Sequence, residues 1–244
     1  MLGFSSPMLG KGGGTSGGTF AGMASLFAAG EKGAFYDFTD GAKLAVNGDG
    51  TGGSPVVGAA CKWAVDQSPN NNHLRNTVSS VTRRANGIET SGAGLGLYNL
   101  PSLGHSWINL PEPFEVICCL EQMGYAGVDR RILAPDANGQ WYLLQGAASG
   151  EVRFYSSGYG DTMTAGVGTE FTVDGSFSTT GRQQSLNGAT MGGSAGGGTT
   201  LNGIALGSTD AGNSPAPIRF KRLLILGRTL TSVERAGAYA WATA

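Results

Sequence analysis

The sequence predicts an all-β sandwich of jelly-roll type, with an extended Gly-rich arm at its N-terminus and one short helix at its C-terminus. Three observations carry that prediction. Gly supplies 43 of the 244 residues, about one in six against roughly one in fourteen in an average protein, and Gly is poor in helix interiors. Short alternating or aromatic segments recur with turn residues between them at intervals of about 8–12 residues, the spacing of a many-stranded sandwich. A single stretch, near the C-terminus, has helical periodicity behind a helix-start signal. The hydrophobic content of 40% supplies a core, which excludes a wholly disordered chain, and the Gly has no three-residue period, which excludes collagen.

Taken in order, residues 1–30 read as the arm, with GKGGGTSGGTF at its centre and the apolar Leu2, Phe4, Met8, Leu9 and Phe20 scattered through it. A plain linker has fewer large apolar side chains, so these residues are expected to be covered by a partner surface. Residues 31–244 read as one domain. GAFYDFTD is a short aromatic strand entering a turn, and NGDGTGGSPVV a turn followed by a strand. ACKWAVD leads into an Asn-rich loop, and VTRRANGIET follows. PFEVICCLEQ is the clearest strand, with Phe114, Val116, Cys118 and Leu120 on one face and Glu115, Ile117, Cys119 and Glu121 on the other. RRILAP, QWYLLQG, EVRFYSSG, EFTVDGSF and GRQQSL continue the series, the last running into Asn187-Gly188, a strong hairpin signal. LNGIALGS and PIRFKRLLILGR close it. In the latter the alternation slips at Arg222, which predicts a bulge or a strand end buried on both sides. In TSVERAGAYAWAT, Thr231 and Glu234 form a capping box, and Val233, Gly237, Ala240 and Trp241 are expected to pack on the sandwich edge.

The formal net charge of −1 gives no electrostatic case for nucleic acid or an anionic membrane surface. No apolar run approaches the roughly 18 residues of a membrane-spanning helix. Phe20–Ala29 is the nearest imitation of a signal peptide, but the Gly/Thr/Ser stretch between it and Lys11 does not act as an apolar region. Cys61, Cys118 and Cys119 read as small buried thiols of a protein folded in a reducing cytoplasm, since the adjacent pair faces opposite ways on a strand.

A resemblance adds to this reading. Asn187-Gly188, LNGIALGS, IRFKRLLILGR and Leu230-Thr231-x-x-Glu234-Arg235 with its closing helix resemble the C-terminal half of laminin-G-like, concanavalin-A-like jelly rolls. FYDFTD, the Gly-Asp-Gly-Thr-Gly-Gly-Ser-Pro-Val turn and the segment Asp66–His73 ahead of RRANGIET are similar to the version of that domain in structural proteins of tailed bacteriophages. Pro69 and Asn70 stand where that version usually has small turn residues. The resemblance covers roughly residues 33–244 and leaves the arm outside it. It implies a virion protein assembled in the bacterial cytoplasm, tail tip or tail fibre first and head decoration second. Its partners would be other virion proteins and copies of itself, a trimer being favoured.

The chemistry-bearing residues give little support to an enzyme. The Glu-x-Asp-x-Glu string of jelly-roll glucanases is absent, Glu115 and Glu121 flank an apolar stretch, and neither His73 nor His105 lies near a nucleophile elbow. The Gly-rich GKGGGTSGG and GGSAGGG lack the Gly-Lys-Ser/Thr ending of a phosphate loop. No cofactor is required. A calcium ion at the sandwich rim would draw on Asp37, Asp40, Asp49 and Asp66, although turn-stabilising Asx roles fit these residues better. A host-surface glycan would be met by Tyr155 and Tyr159 with Asn70, Asn71, Asn72 and His73, whereas Trp63 and Trp141 read as core.

Overall fold

The computed structural model describes residues 19–76, 81–91, 96–107, 109–124, 127–136, 141–156, 161–194, 200–208 and 215–244. Leu2, Phe4, Met8, Leu9 and Tyr159 lie outside the described residues. The first third of the chain makes short strands: β1 (Gly33–Asp37), β2 (Leu44–Ala45), β3 (Ala60–Cys61), β4 (Trp63–Ala64), β5 (Leu74–Arg75), β6 (Val81–Arg84), β7 (Gly87–Glu89) and β8 (Tyr98–Asn99). The middle contributes β9 (Leu110–Pro111), β10 (Phe114–Gln122), β11 (Arg130–Ala134), β12 (Trp141–Gln145), β13 (Glu151–Ser156) and β14 (Met163–Thr164). The last third holds β15 (Glu170–Ser178), β16 (Gly181–Leu186), β17 (Ala189–Ser194), β18 (Thr200–Leu201), β19 (Ile204–Leu206), β20 (Ile218–Leu226) and helix α1 (Ser232–Thr243).

These strands form two large sheets. The first runs β17-β16-β15-β10-β20-β7-β6-β3, with β1 also paired to β20, and the second runs β14-β13-β12-β11-β19-β8-β5-β4-β2. The pairings are antiparallel throughout the two sheets, and sequence neighbours are often far apart in the strand order, as in a jelly roll. The ACKWAVD segment divides between the sheets: β3 pairs with β6 in the first and β4 with β2 and β5 in the second. At the Asn187-Gly188 turn both residues have positive φ, 51° and 81°, as a type I′ hairpin requires. The Pro55-Val56-Val57 stretch, by contrast, is not a strand; it is an ordered loop with Val56 75% exposed.

Among the described residues the two larger apolar cores lie one on each face of the first sheet, and a small third cluster joins Tyr98, Leu100 and Ala205. Phe114, Val116, Cys118 and Leu120 of β10 point between the sheets, where they meet Trp141, Phe154 and Phe177. Ile117 and Cys119 point outward, against Leu224 and Leu226 of β20, Phe35 of β1 and α1. The slip in β20 is a bulge: Cys119 pairs with Arg222 and Leu120 with Phe220, so Lys221 is extra. It keeps Ile218, Phe220, Leu223 and Ile225 all in the inner core despite the broken alternation. All three cysteines are buried and free.

Two expectations are corrected here. The domain begins well before residue 31, because the 3-10 turn Met23–Phe27 buries Met23, Leu26 and Phe27 in the outer core and Phe20 packs against Gly237 of the helix. Phe20 therefore serves the fold of this chain. In addition, α1 lies on the outer face of the first sheet rather than along its edge. Ala238 and Ala242, with Tyr239 and Trp241, form its packing face, while Val233 and Ala240 are exposed.

Candidate functional site

The residues of the Asn-rich loop turn inward to bind backbone. Asp66 is buried, and its carboxylate accepts from the N–H groups of Phe35 (3.1 Å), Ser68 (2.8 Å) and Asn72 (2.8 Å) and from the Ser68 hydroxyl (2.8 Å). Burial raises its pKa against the lowering effect of those bonds. The Asn72 amide donates to Gly33 O at 2.9 Å, and the Asn70 amide donates to Glu31 O and Gly33 O at 3.0 and 3.1 Å. His73 Nδ1 accepts from the Asp66 N–H at 3.0 Å, which leaves the proton of the neutral ring on Nε2, and burial lowers its pKa. Its ring lies 5.0 Å from that of Trp63, which is half-buried rather than core. Pro69 and Asn71, the latter at φ 57°, are exposed. This loop is a latch on the entry to β1.

The other aspartates also act locally. Asp37 accepts from the N–H and hydroxyl of Thr39 and pairs with Arg222 at 3.1 Å; Asp40 accepts from the Ala42 N–H; Asp49 accepts from the N–H and hydroxyl of Thr51. Among the described residues no three His, Cys, Asp or Glu side chains converge into a metal-binding group. Asp37, Asp40, Asp49 and Asp66 fill turn, cap and latch positions.

Tyr155 stands on the outer face of the second sheet. Its ring is 5.6 Å from that of its cross-strand partner Tyr142, and the Arg131 guanidinium lies 4.0 Å above Tyr142. Leu144, between Arg131 and Arg153 on the same face, is fully buried. Four strands separate β13 from β5 in this sheet, about 24 Å at ordinary strand spacing. Tyr155 and the Asn70–His73 loop therefore do not form one sugar site.

A cluster under α1 escaped sequence reasoning. Glu115 projects outward from β10 and is fully buried; Asp174, on the neighbouring β15, is 3% exposed. Arg235 reaches down from α1 to bind both, one guanidinium nitrogen to each carboxyl group. Glu115 Oε2 also accepts from the Leu230 N–H at 2.6 Å, just ahead of the helix. Burial, then the Asp174 charge, pushes the Glu115 pKa up to about 7, and burial raises that of Asp174. The available signal was an acid placed inside an apolar run in each of two strands, Glu115 in FEVICC and Asp174 in FTVDG, with an Arg in the C-terminal helix.

Beside this cluster lies a cleft of about 550 Å3 between α1 and the β15–β16–β17 meander. Asp174 and Ser185 are buried at its floor, Gln183, Thr190, Ser232 and Tyr239 form its walls, and the Ser185 and Tyr239 hydroxyls are 2.7 Å apart. A second cleft of about 530 Å3 continues from it, sharing Ser176 and Gln183 and extending to Ser178, Thr180 and Thr229.

No protein-family model and no curated protein sequence matches the chain. Solved structures do. A Trypanosoma rangeli sialidase in complex with a difluoro-KDN superposes with a TM-score of 0.61 at 14% identity, over 87% of this chain and 32% of the sialidase. The receptor binding domain of botulinum neurotoxin mosaic serotype C/D gives 0.55 at 14% identity, over 86% of this chain and 51% of that one. The binding domain of botulinum neurotoxin serotype D gives 0.50 at 13% identity, over 73% and 49%. The chain spans about a third of the sialidase and about half of the toxin domains. At these identities the likeness is one of fold: the protein is a jelly-roll β-sandwich with one C-terminal helix.

Proposed function

We propose that this chain is a non-catalytic structural component of a tailed-bacteriophage virion, associated with the tail tip or tail fibre. Head decoration is the alternative location, and assembly proceeds with other virion proteins and copies of this chain. The order of motifs along residues 33–244, which resembles that of phage laminin-G-like domains, supports the class. The observation that carries the mechanism is the mounting of residues 19–30. Leu26 and Phe27 are buried in the outer core and Phe20 rests on Gly237, so the Gly-rich segment 1–18 joins the sandwich at a packed layer rather than at a loose strand end. Load on that segment is carried into α1 and β20 together. Glu115 and Asp174 both bind Arg235 and are buried, whereas glycosidase carboxyl groups flank an open site. Deleting residues 2–18 is expected to leave a folded, soluble domain that no longer enters particles; incorporation of the truncated protein would refute the anchoring role.

The Tyr142–Tyr155 pair under Arg131 favours a second reading, a carbohydrate-binding module that meets the host surface. On a glycan array, binding by the intact chain that is lost in Tyr142→Ala and Tyr155→Ala favours it. Binding unchanged in both variants removes it.

A further inference from the structure

We infer that the cleft between α1 and the β15–β16–β17 meander is a binding site for a neutral, polyhydroxylated ligand of the size and chemistry of an uncharged pyranose. This site lies on the opposite sheet from the Tyr142–Tyr155 pair and is independent of the anchoring role.

Shape comes first. The cleft holds about 550 Å3, within the range of small-molecule sites, and it opens into the second cleft through Ser176 and Gln183. Room therefore exists for one ring and an adjoining unit along β15 and β16. It differs from an ordinary solvated strand face in having a floor and two walls. Asp174 and Ser185 sit below the surface at 3% and 8% exposure, α1 rises on one side, and the exposed Gln183 and Thr190 stand on the other.

The donors and acceptors then select the ligand. Asp174 is hydrogen-bonded to Ser185 and Glu115 as well as to Arg235, so the buried carboxylate holds the floor of the cleft in place and leaves the ligand to the hydroxyl and amide groups around it. The Ser185 and Tyr239 hydroxyls each donate and accept, and the Gln183 amide offers both functions. Such a lining matches vicinal hydroxyls, which also donate and accept. Tyr239 adds an aromatic ring to the wall, next to Ala236. Charge argues against an anion in this cleft: among the described residues the cation that lines it, Arg235, is already bound to Asp174 and Glu115, and Arg182 borders only the second cleft. An added carboxylate or phosphate would meet a compensated guanidinium and a buried aspartate.

The test uses the full chain, with backbone amide NMR shifts followed during titration with D-glucose, D-galactose, N-acetylglucosamine, methyl glucuronoside and glycerol. Saturable shifts at Gln183, Ser185, Arg235 and Tyr239 are expected with at least one neutral sugar, with a Kd of about 1 mM. Gln183→Ala and Tyr239→Phe are each expected to weaken that binding about tenfold. Gln183 is exposed, so its variant folds whatever the fate of the other, and Tyr155→Ala should leave the binding unchanged. The proposal is overturned by the absence of saturable shifts in the cleft with every neutral sugar. It is equally overturned by stronger binding of the glucuronoside there, or by sugar binding that neither cleft variant weakens. Failure of the virion reading would leave these shifts in place, and their absence would leave particle incorporation untouched.

Discussion

Glu115 sits at the point where burial and charge oppose each other most directly. Its folded pKa of about 7 lies above the ordinary value of 4.5, so the native state holds its proton more tightly than the unfolded chain does. The stability this confers is fully present below pH about 4.5 and is lost as pH rises through about 7. Urea unfolding is therefore expected to show higher stability near pH 5 than near pH 8, and Glu115→Gln should flatten that slope. A slope unchanged in the variant would move its origin elsewhere. Glu234 carries the opposite sign. The Arg228 guanidinium, at 2.7 Å, and the Thr231 backbone N–H hold its pKa down to about 2. Its contribution is present above pH about 4.5 and is lost as pH falls towards 2. At this scale the capping box was legible in the sequence, because Thr231 and Glu234 signal it locally. The Glu115–Asp174–Arg235 cluster was not, since its members are 59 and 61 residues apart and meet only through strand register and helix docking.

At the scale of elements, α1 is held on the first sheet at three places. The capping box and Arg228 fix its start, and Arg235 ties its middle to β10 and β15. At its end Arg222 donates to the Trp241 carbonyl at 2.6 Å, a cation on the negative end of the helix. Thr231→Ala is expected to cost about 1 kcal/mol, read from thermal or urea unfolding. Gly237 marks where the 3-10 segment meets the helix: a Cβ there would stand 2.2 Å from the Phe20 ring. Ala favours a helix interior by about 1 kcal/mol over Gly, yet overpacking costs about 1–3 kcal/mol. Gly237→Ala should therefore destabilise the protein, and Phe20→Ala in the same chain should relieve part of the loss, a coupling measurable in a double-mutant cycle. Simple additivity would deny the contact. The strands themselves were readable wherever alternation or a turn signal was strong, as in β10, β15 and β16. The Pro55–Val57 stretch misled, because apolar composition by itself does not create a pairing partner.

For the whole molecule, the boundary between arm and domain sets the clearest expectation. Removal of residues 2–18 should leave secondary structure and unfolding midpoint unchanged, whereas removal of residues 2–30 should uncover Leu224, Leu226 and Ile117 and give an aggregating protein. Leu26→Ala is expected to cost about 2–5 kcal/mol by the same packing. Equal behaviour of the two truncations in circular dichroism and gel filtration would place the boundary back near residue 31. The sequence by itself determined the fold class, most strand positions, the hairpin at Asn187-Gly188, the bulge near Arg222 and the capped helix, because each follows from interactions among residues close in the chain. Only the tertiary structure decided what covers the second face of β10 and β20, where the domain begins, that Asp66 and the asparagines are latches, and that Asp174 and Tyr239 share a cleft. Those depend on which distant segments are brought within a few ångströms, and local pattern carries no information about that.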